Sequence, residues 1–101
     1  MEPIEVPIDG RLFSDDTIAR AAHRYTGEWS VRLARDGDVI RASFTPLREE
    51  ANAAGLAARF DNDLLDERLR EHVRAETLAL HAALLEAALR QAAPAADTTP
   101  A

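Results

Sequence analysis

A group of acidic side chains in the segment 63–71 is the part of this sequence with the clearest capacity for chemistry. Its members are Asp63, Asp66, Glu67 and Glu71. Side chains three and four residues apart share one face of a helix. Carboxylates placed in this way could serve acid–base catalysis or bind a hard metal ion.

The alternative is a solvated helix face stabilised by ion pairs along the helix. Asp66 and Arg70 have the favourable i,i+4 orientation, and Arg59 and Asp63 form a second such pair in the less favourable one. No glycine-rich loop, second carboxylate cluster or histidine pair converges on the acids. We therefore favour the solvated face over a catalytic site.

Histidine and serine residues offer no stronger candidate for a reaction centre. His72 and Glu76 have a metal-ligand spacing on a helix, but two helical residues do not make a zinc site and HExxH is absent. The serines lie in no nucleophile motif, and no phosphate-binding glycine loop occurs. The sequence predicts no enzyme, no metal site and no cofactor.

Composition favours one small soluble domain. The chain has 101 residues, 47% of them hydrophobic but only 5% aromatic, so the core is thin. A net charge of −6 argues against nucleic-acid or anionic-membrane binding. All basic residues are arginine, which is typical of a GC-rich bacterial genome, and cysteine is absent. With no signal peptide or membrane-spanning run, we expect a cytoplasmic protein.

The first half of the sequence predicts a strand, a helix and a hairpin. Alternation at Ile4, Val6 and Ile8 indicates a strand, and Pro7 places it at a sheet edge. Ser14 is the predicted N-cap of a helix over about residues 15–26, with Gly27 as its stop. Asp36-Gly37 predicts a type I′ turn. The pairs that follow are Leu33–Ile40, Val31–Ala42, Trp29–Phe44, Arg32–Arg41 and Ser30–Ser43.

Two arginines face each other on the outer side of this predicted hairpin. Like charges directly across a ladder are mildly destabilising, unless both side chains extend into solvent. The alternative is an anion-accepting face on which Arg32 and Arg41 bind carboxylates of a peptide or partner. The exposed hairpin edge could also accept an extended peptide as an added strand.

From roughly Glu49 to Gln91 the sequence predicts helix, with Pro46 ending the strand before it. At about 100° per residue its apolar residues form two opposed stripes. The first contains Leu56, Phe60, Leu64, Leu78, Leu85 and Leu89. The second contains Leu65, Leu69, Val73, Leu80 and Leu84. A surface helix buries one stripe, so either the helix breaks between about 70 and 78 or another polypeptide covers the second stripe.

We therefore predict an α+β fold: a three-stranded antiparallel sheet with helices on one face, in the order β-α-β-β-α(α). The third strand should be central. Residues 1–93 should form a single domain, and residues 94–101 a disordered tail.

The phrase from Phe60 to Thr77, "FDNDLLDERLREHVRAET", resembles the HxsD family of the His-Xaa-Ser maturation systems. The matching residues are Phe60, Asn62, Leu64, Leu65, Asp66, Leu69, Arg70 and Glu71. Asp63 and Glu67 are near equivalents, with Glu67 standing where the family phrase has tyrosine. The resemblance extends over about residues 4–90.

This resemblance implies an accessory role in a radical SAM system that modifies a ribosomally made peptide. Iron–sulfur chemistry would then belong to the partner enzyme, in agreement with the absence of cysteine. The leading hypothesis is an adaptor that binds the radical SAM enzyme, the precursor peptide or both, with the second stripe as its partner surface. The alternative is a homodimer or larger oligomer that pairs through the long helix.

Overall fold

The computed structural model describes the backbone of residues 2–97 and the side chains of residues 2–92. Five elements follow one another along the chain. They are β1 (Ile4–Asp9), α1 (Asp15–His23), β2 (Trp29–Asp36), β3 (Val39–Pro46) and α2 (Leu56–Asp97). This order, with its three-stranded antiparallel sheet, confirms the predicted fold class.

The strand order is β1-β3-β2, so the last strand in sequence is central as predicted. Strand β1 pairs with β3 in a register that places Ile4 opposite Phe44 and Ile8 opposite Ile40. Pro7 therefore lies on an edge strand, where its missing N–H leaves the ladder intact.

The predicted hairpin register is wrong. The turn consists of Gly37 and Asp38, and Asp36 pairs with Val39. Gly37 has a φ of 63°, and no non-glycine residue among those described has a positive φ. This pattern is typical of a type II′ turn, which needs a positive φ only at its first central residue.

Moving the turn by one residue changes every cross-strand partner by two positions. Leu33 faces Ala42, Val31 faces Phe44 and Trp29 faces Pro46. A shift of two keeps each side chain on its predicted face, because strand side chains alternate with a period of two. Arg32 and Arg41 still share the outer face but do not oppose each other: Arg32 pairs with Ser43 and Arg41 with Ala34, while Ser30 pairs with Thr45.

Helix α1 begins as predicted and ends early. The Ser14 hydroxyl accepts a hydrogen bond from the Thr17 N–H, which satisfies a free donor of the first turn. The last helical residue is His23, not a residue near 26, and the chain continues in tight turns. Gly27 has no positive φ and is not the predicted stop. Instead the Thr26 side chain donates to the His23 carbonyl at 2.8 Å.

Helix α2 begins seven residues later than predicted from Glu49. In the preceding loop the Asn52 side chain accepts a hydrogen bond from the Ala54 N–H. Gly55 then has a φ of 65°, a conformation that prevents helix from continuing back through it. The backbone is helical without interruption through residues 70–78. Of the predicted tail, residues 94–97 are helical in backbone and residues 98–101 lie outside the described part.

The core lies between one face of the sheet and the two helices. Four aromatic rings meet in it with edge-to-face geometry: Tyr25, Trp29, Phe44 and Phe60. Phe44 and Phe60 have centroids 5.1 Å apart and are fully buried. A thin core thus depends on a few large side chains, each contributing about 1.5–3 kcal/mol by burial.

The chain divides into two compact units, Met1–Arg70 and Glu71–Ala101. The first contains the sheet, α1, the start of α2 and the whole buried core. The second is helical over its described residues, and its side chains up to residue 92 are exposed apart from that of the half-buried Glu71. In the part of the chain that is described, no helix is both long and apolar enough to cross a membrane.

Candidate functional site

The first turns of α2 contain the start of the family phrase, bury two of its residues and orient its acidic side chains. Phe60 and Leu64, one helical turn apart, lie in the core with 0% and 2% exposure. This anchoring fixes the rotation of the helix. As a result Asp63, Asp66 and Glu67 face the carboxyl end of α1.

Arg24, the C-cap residue of α1, is the common partner of these three acids. Its guanidinium donates to Asp63 at 3.0 Å, to Asp66 at 2.6 Å and to Glu67 at 2.7 Å. Glu67 is 8% exposed and therefore depends on this partner, because a buried carboxylate without one is costly. Hydrogen bonds to Asp66 and Glu67 raise the pKa of Arg24 above its ordinary value.

Tyr25 provides a second link between α1 and the acids. Its hydroxyl donates a 2.5 Å hydrogen bond to Asp63, while its ring packs against Phe44 and Phe60. Burial, followed by the bond to Asp63, raises the pKa of Tyr25 well above its ordinary value. The phenol therefore stays neutral and acts as a hydrogen-bond donor.

Asp66 lies between two arginines. Hydrogen bonds from Arg24 and then from Arg70 hold the pKa of Asp66 below its usual range. The bond from Arg70, at 3.0 Å, is the predicted i,i+4 pair. The other predicted pair is replaced, because Asp63 binds α1 while Arg59 donates to the Asn52 carbonyl at 2.5 Å.

The acidic group is therefore neither a free helix face nor an open acid–base pair. Three carboxylates converge on one guanidinium that cannot release its proton near neutral pH, an arrangement that joins two helices. The expectation that the acids pair along the helix or face water was wrong for Asp63 and Glu67. The sequence did not predict Arg24 as the partner, because about forty residues separate it from the acids. The one available signal was a row of acids at helical spacing with too few local cations.

Beside this cluster lies an open surface cavity of about 490 Å³. It is bounded by Arg24, Tyr25, Arg59, Asn62 and Asp63, among others. Several of its polar side chains already have partners: Arg24 and Tyr25 bind Asp63, and Arg59 binds a backbone carbonyl. The motif residue Asn62 is exposed at its rim.

The leucines predicted to meet a partner are all exposed. In the first unit Leu65 and Leu69 are 57% and 61% exposed. In the second unit the exposed fraction is 50% for Val73, 61% for Leu80 and 62% for Leu84. The first predicted stripe divides: Leu56, Phe60 and Leu64 are buried, whereas Leu78, Leu85 and Leu89 are exposed.

The remaining candidates form pairs of their own. Arg32 and Arg41 are on the outer sheet face, where Arg41 approaches the Asp36 carboxylate at 3.8 Å. His72 and Glu76 form an exposed pair at 3.0 Å. Among the described residues no group of three or more histidine, cysteine or acidic side chains could hold a metal ion.

Comparison with known proteins supports one family. The model of the His-Xaa-Ser system protein HxsD matches residues 8–95, which is most of the chain. Searches of curated proteins and of solved structures found no significant match. The matched region contains all five elements except the first residues of β1 and the end of α2. The chain therefore belongs to the HxsD family of His-Xaa-Ser system proteins.

Proposed function

We propose that this chain is a non-catalytic adaptor of a radical SAM peptide-maturation system, and that it binds the modifying enzyme through the exposed leucines of α2. HxsD proteins are accessory proteins of the His-Xaa-Ser system, not members of a known catalytic family. The adaptor role is the form of accessory function that the surface of α2 supports best.

The observation that carries the proposal is the exposure of large apolar side chains on one helix. Eight leucine and valine residues of α2 are at least half exposed: Leu65, Leu69, Val73, Leu78, Leu80, Leu84, Leu85 and Leu89. Single exposed leucines are ordinary, but extensive apolar surface on a small domain marks an interaction site. A protein partner would remove this surface from water.

The acidic cluster supports a role without catalysis. One oxygen of each of these three carboxylates, Asp63, Asp66 and Glu67, accepts a hydrogen bond from Arg24, so the carboxylates serve to hold α1 and α2 together. A general base needs a lone pair available to substrate. The alternative of a small enzyme using this helix predicts that Asp66→Asn abolishes an activity without changing the fold.

Co-purification with a radical SAM enzyme of a His-Xaa-Ser system tests the adaptor role. Leu69→Asp should abolish complex formation, because it places a charge in the proposed apolar contact, while the circular dichroism spectrum stays unchanged. Ala57→Asp is the matched control, since it adds the same charge at an exposed position of the same helix. An unchanged yield of complex with Leu69→Asp would show that this surface is not the contact.

A second candidate is a homo-oligomer that pairs through α2. It is favoured by the spacing of Leu78, Leu85 and Leu89, which are seven and four residues apart as in a coiled-coil seam. Light scattering after size exclusion, at several concentrations, separates the two. A monomer that becomes heteromeric with the enzyme supports the adaptor, and a stable dimer alone supports the oligomer.

A further inference from the structure

The three-stranded sheet has two outer strands whose free edges differ. The Gly10 N–H donates to the Asp38 carbonyl, and the Leu47 N–H donates to the Glu28 carbonyl, so each bond extends a ladder by one pair. In antiparallel ladders bonded and non-bonded pairs alternate. Even-numbered residues of β1 and β2 therefore bond to β3, and odd-numbered residues direct their backbone groups outward.

The outward positions of β1 are Glu5, Pro7 and Asp9. Proline has no N–H, so the edge lacks a donor at its centre and cannot form a regular ladder with another strand. The outward positions of β2 are Val31, Leu33 and Arg35, and β2 contains no proline. Trp29 also points outward, but it cannot donate to an added strand because its N–H donates to the Tyr25 carbonyl. The sheet is thus blocked at one edge and open at the other.

A small apolar cavity lies beside the open edge. Its volume is about 160 Å³, and its apolar walls are Ile18, Leu33 and Ile40. The Asp15 and Arg35 side chains, joined by an ion pair, also line it. A strand paired with β2 would place alternate side chains over this side of the sheet, within reach of the cavity.

The opposite side of β2 is basic at its centre. Arg32 points to the outer face and is exposed. No hydrogen bond or ion pair of Arg32 occurs among the described residues, whereas Arg41 and Arg35 approach Asp36 and Asp15. In a chain with net charge −6, an unpaired arginine at an open strand edge favours an incoming carboxylate.

We propose that the β2 edge binds an extended peptide in which apolar and acidic residues alternate, by adding it to the sheet as a fourth strand. The peptide would bond to the backbone of Val31, Leu33 and Arg35. One of its apolar side chains would enter the cavity beside Leu33, and an acidic one would meet Arg32. This deepens the adaptor function and rests on it, because it gives the adaptor a second surface, distinct from α2, for peptide.

The test uses the isolated full chain and a short fluorescent peptide of alternating valine and glutamate, with binding followed by anisotropy. Leu33→Pro removes an outward N–H and puts the proline ring in its place at the strand edge, while the hydrogen bonds from β2 to β3 remain. It should weaken binding by about tenfold or more. Glu5→Pro is the matched control at the other edge and should leave affinity within about twofold. Equal affinity of all three chains would overturn the proposal, as would failure of the unmodified chain to bind.

Two further reagents separate the parts of the proposal. A probe with alternate amides N-methylated should bind the unmodified chain about tenfold more weakly than the unmethylated probe. This comparison remains informative even if Leu33→Pro fails to fold. Arg32→Glu should weaken binding of the glutamate probe but not of a valine–serine probe. If the N-methylated probe binds as well as the first, strand addition is wrong.

The same assay distinguishes this site from the enzyme contact on α2. Leu69→Asp should bind the glutamate probe with unchanged affinity, because Leu69 is not part of the β2 edge. Loss of enzyme binding with retained peptide binding would support both surfaces. If Leu69→Asp retains the enzyme and Leu33→Pro loses the peptide, only the proposed enzyme contact fails.

Discussion

The beginning of α2 and its later turns contain the same kind of residues in opposite environments. Leu56 and Leu64 in the first unit are 2% exposed, whereas Leu78 and Leu89 in the second are 70% and 62% exposed. Helix propensity treats these leucines alike. The difference is that the first pair faces a sheet and a second helix within its unit, and the later pair faces water.

This contrast shows which part of the helix belongs to the fold. Residues 56–70 are held by Phe60 and Leu64 in the core and by the Arg24 cluster at its margin. Two side-chain pairs of the second unit, His72–Glu76 and Glu86–Arg90, are exposed and local. Such pairs add only a few tenths of a kcal/mol each, so apolar surface is the main feature that this unit offers.

The largest expected effect comes from comparing a buried with an exposed truncation on α2. Phe60→Ala should lower the free energy of unfolding by about 3–5 kcal/mol, because it removes a fully buried ring that packs against Tyr25 and Phe44. Leu85→Ala on the isolated chain should change it by less than about 0.5 kcal/mol. Urea denaturation measures both. A large loss for Leu85→Ala would mean that the second unit is buried in solution.

An intermediate effect is expected when the polar link to α1 is removed. Arg24→Ala leaves three carboxylates without their partner and should cost about 1–2 kcal/mol, a figure reduced for the partial exposure of the arginine. Arg20→Ala is the control on the same helix, where an exposed pair with Asp16 is lost. Thermal unfolding of the two variants should differ clearly. Equal melting temperatures would show that the cluster contributes no more than a surface pair.

The smallest expected effect is a loss of stability at low pH. Because Arg24 and then Arg70 depress the pKa of Asp66 in the folded chain, the stability it contributes is present above about pH 4. That stability is lost as the pH falls through the lower folded value. Carboxyl NMR titration should show the Asp66 midpoint rising in Arg24→Gln, and rising less in Arg70→Gln. No change in Arg24→Gln would contradict the hydrogen-bonded cluster.

The hairpin shows how far alternation alone can predict a register. Asp36-Gly37 and Gly37-Asp38 are both acceptable two-residue turns, and they sort the side chains of β2 and β3 onto the same faces. The pattern therefore could not distinguish them. The observed turn occurs together with pairing of β3 to β1, which includes the bond from Gly10 to Asp38. That pairing joins residues between 28 and 40 positions apart.

The candidate site was predicted in part for the same reason. Local spacing identified the acids, the Asp66–Arg70 pair and the apolar stripe of Phe60 and Leu64. It did not identify Arg24 or Tyr25, since nothing in their local sequence specifies a partner on α2. The early end of α1 at His23 places both residues in position, and that end carries a Thr26 hydrogen bond that helix propensity does not encode.

The sequence by itself determined the element order, the Ser14 cap, the edge position of β1 through Pro7 and the family phrase from Phe60 onward. These features follow from interactions within a few residues, or from the chemistry of a single residue such as proline. Tertiary structure alone decided three features: the turn residues, the binding of three carboxylates to Arg24, and which leucines of α2 are buried. Each of those depends on groups distant in sequence, whose meeting is set by the packing of the sheet against the helices.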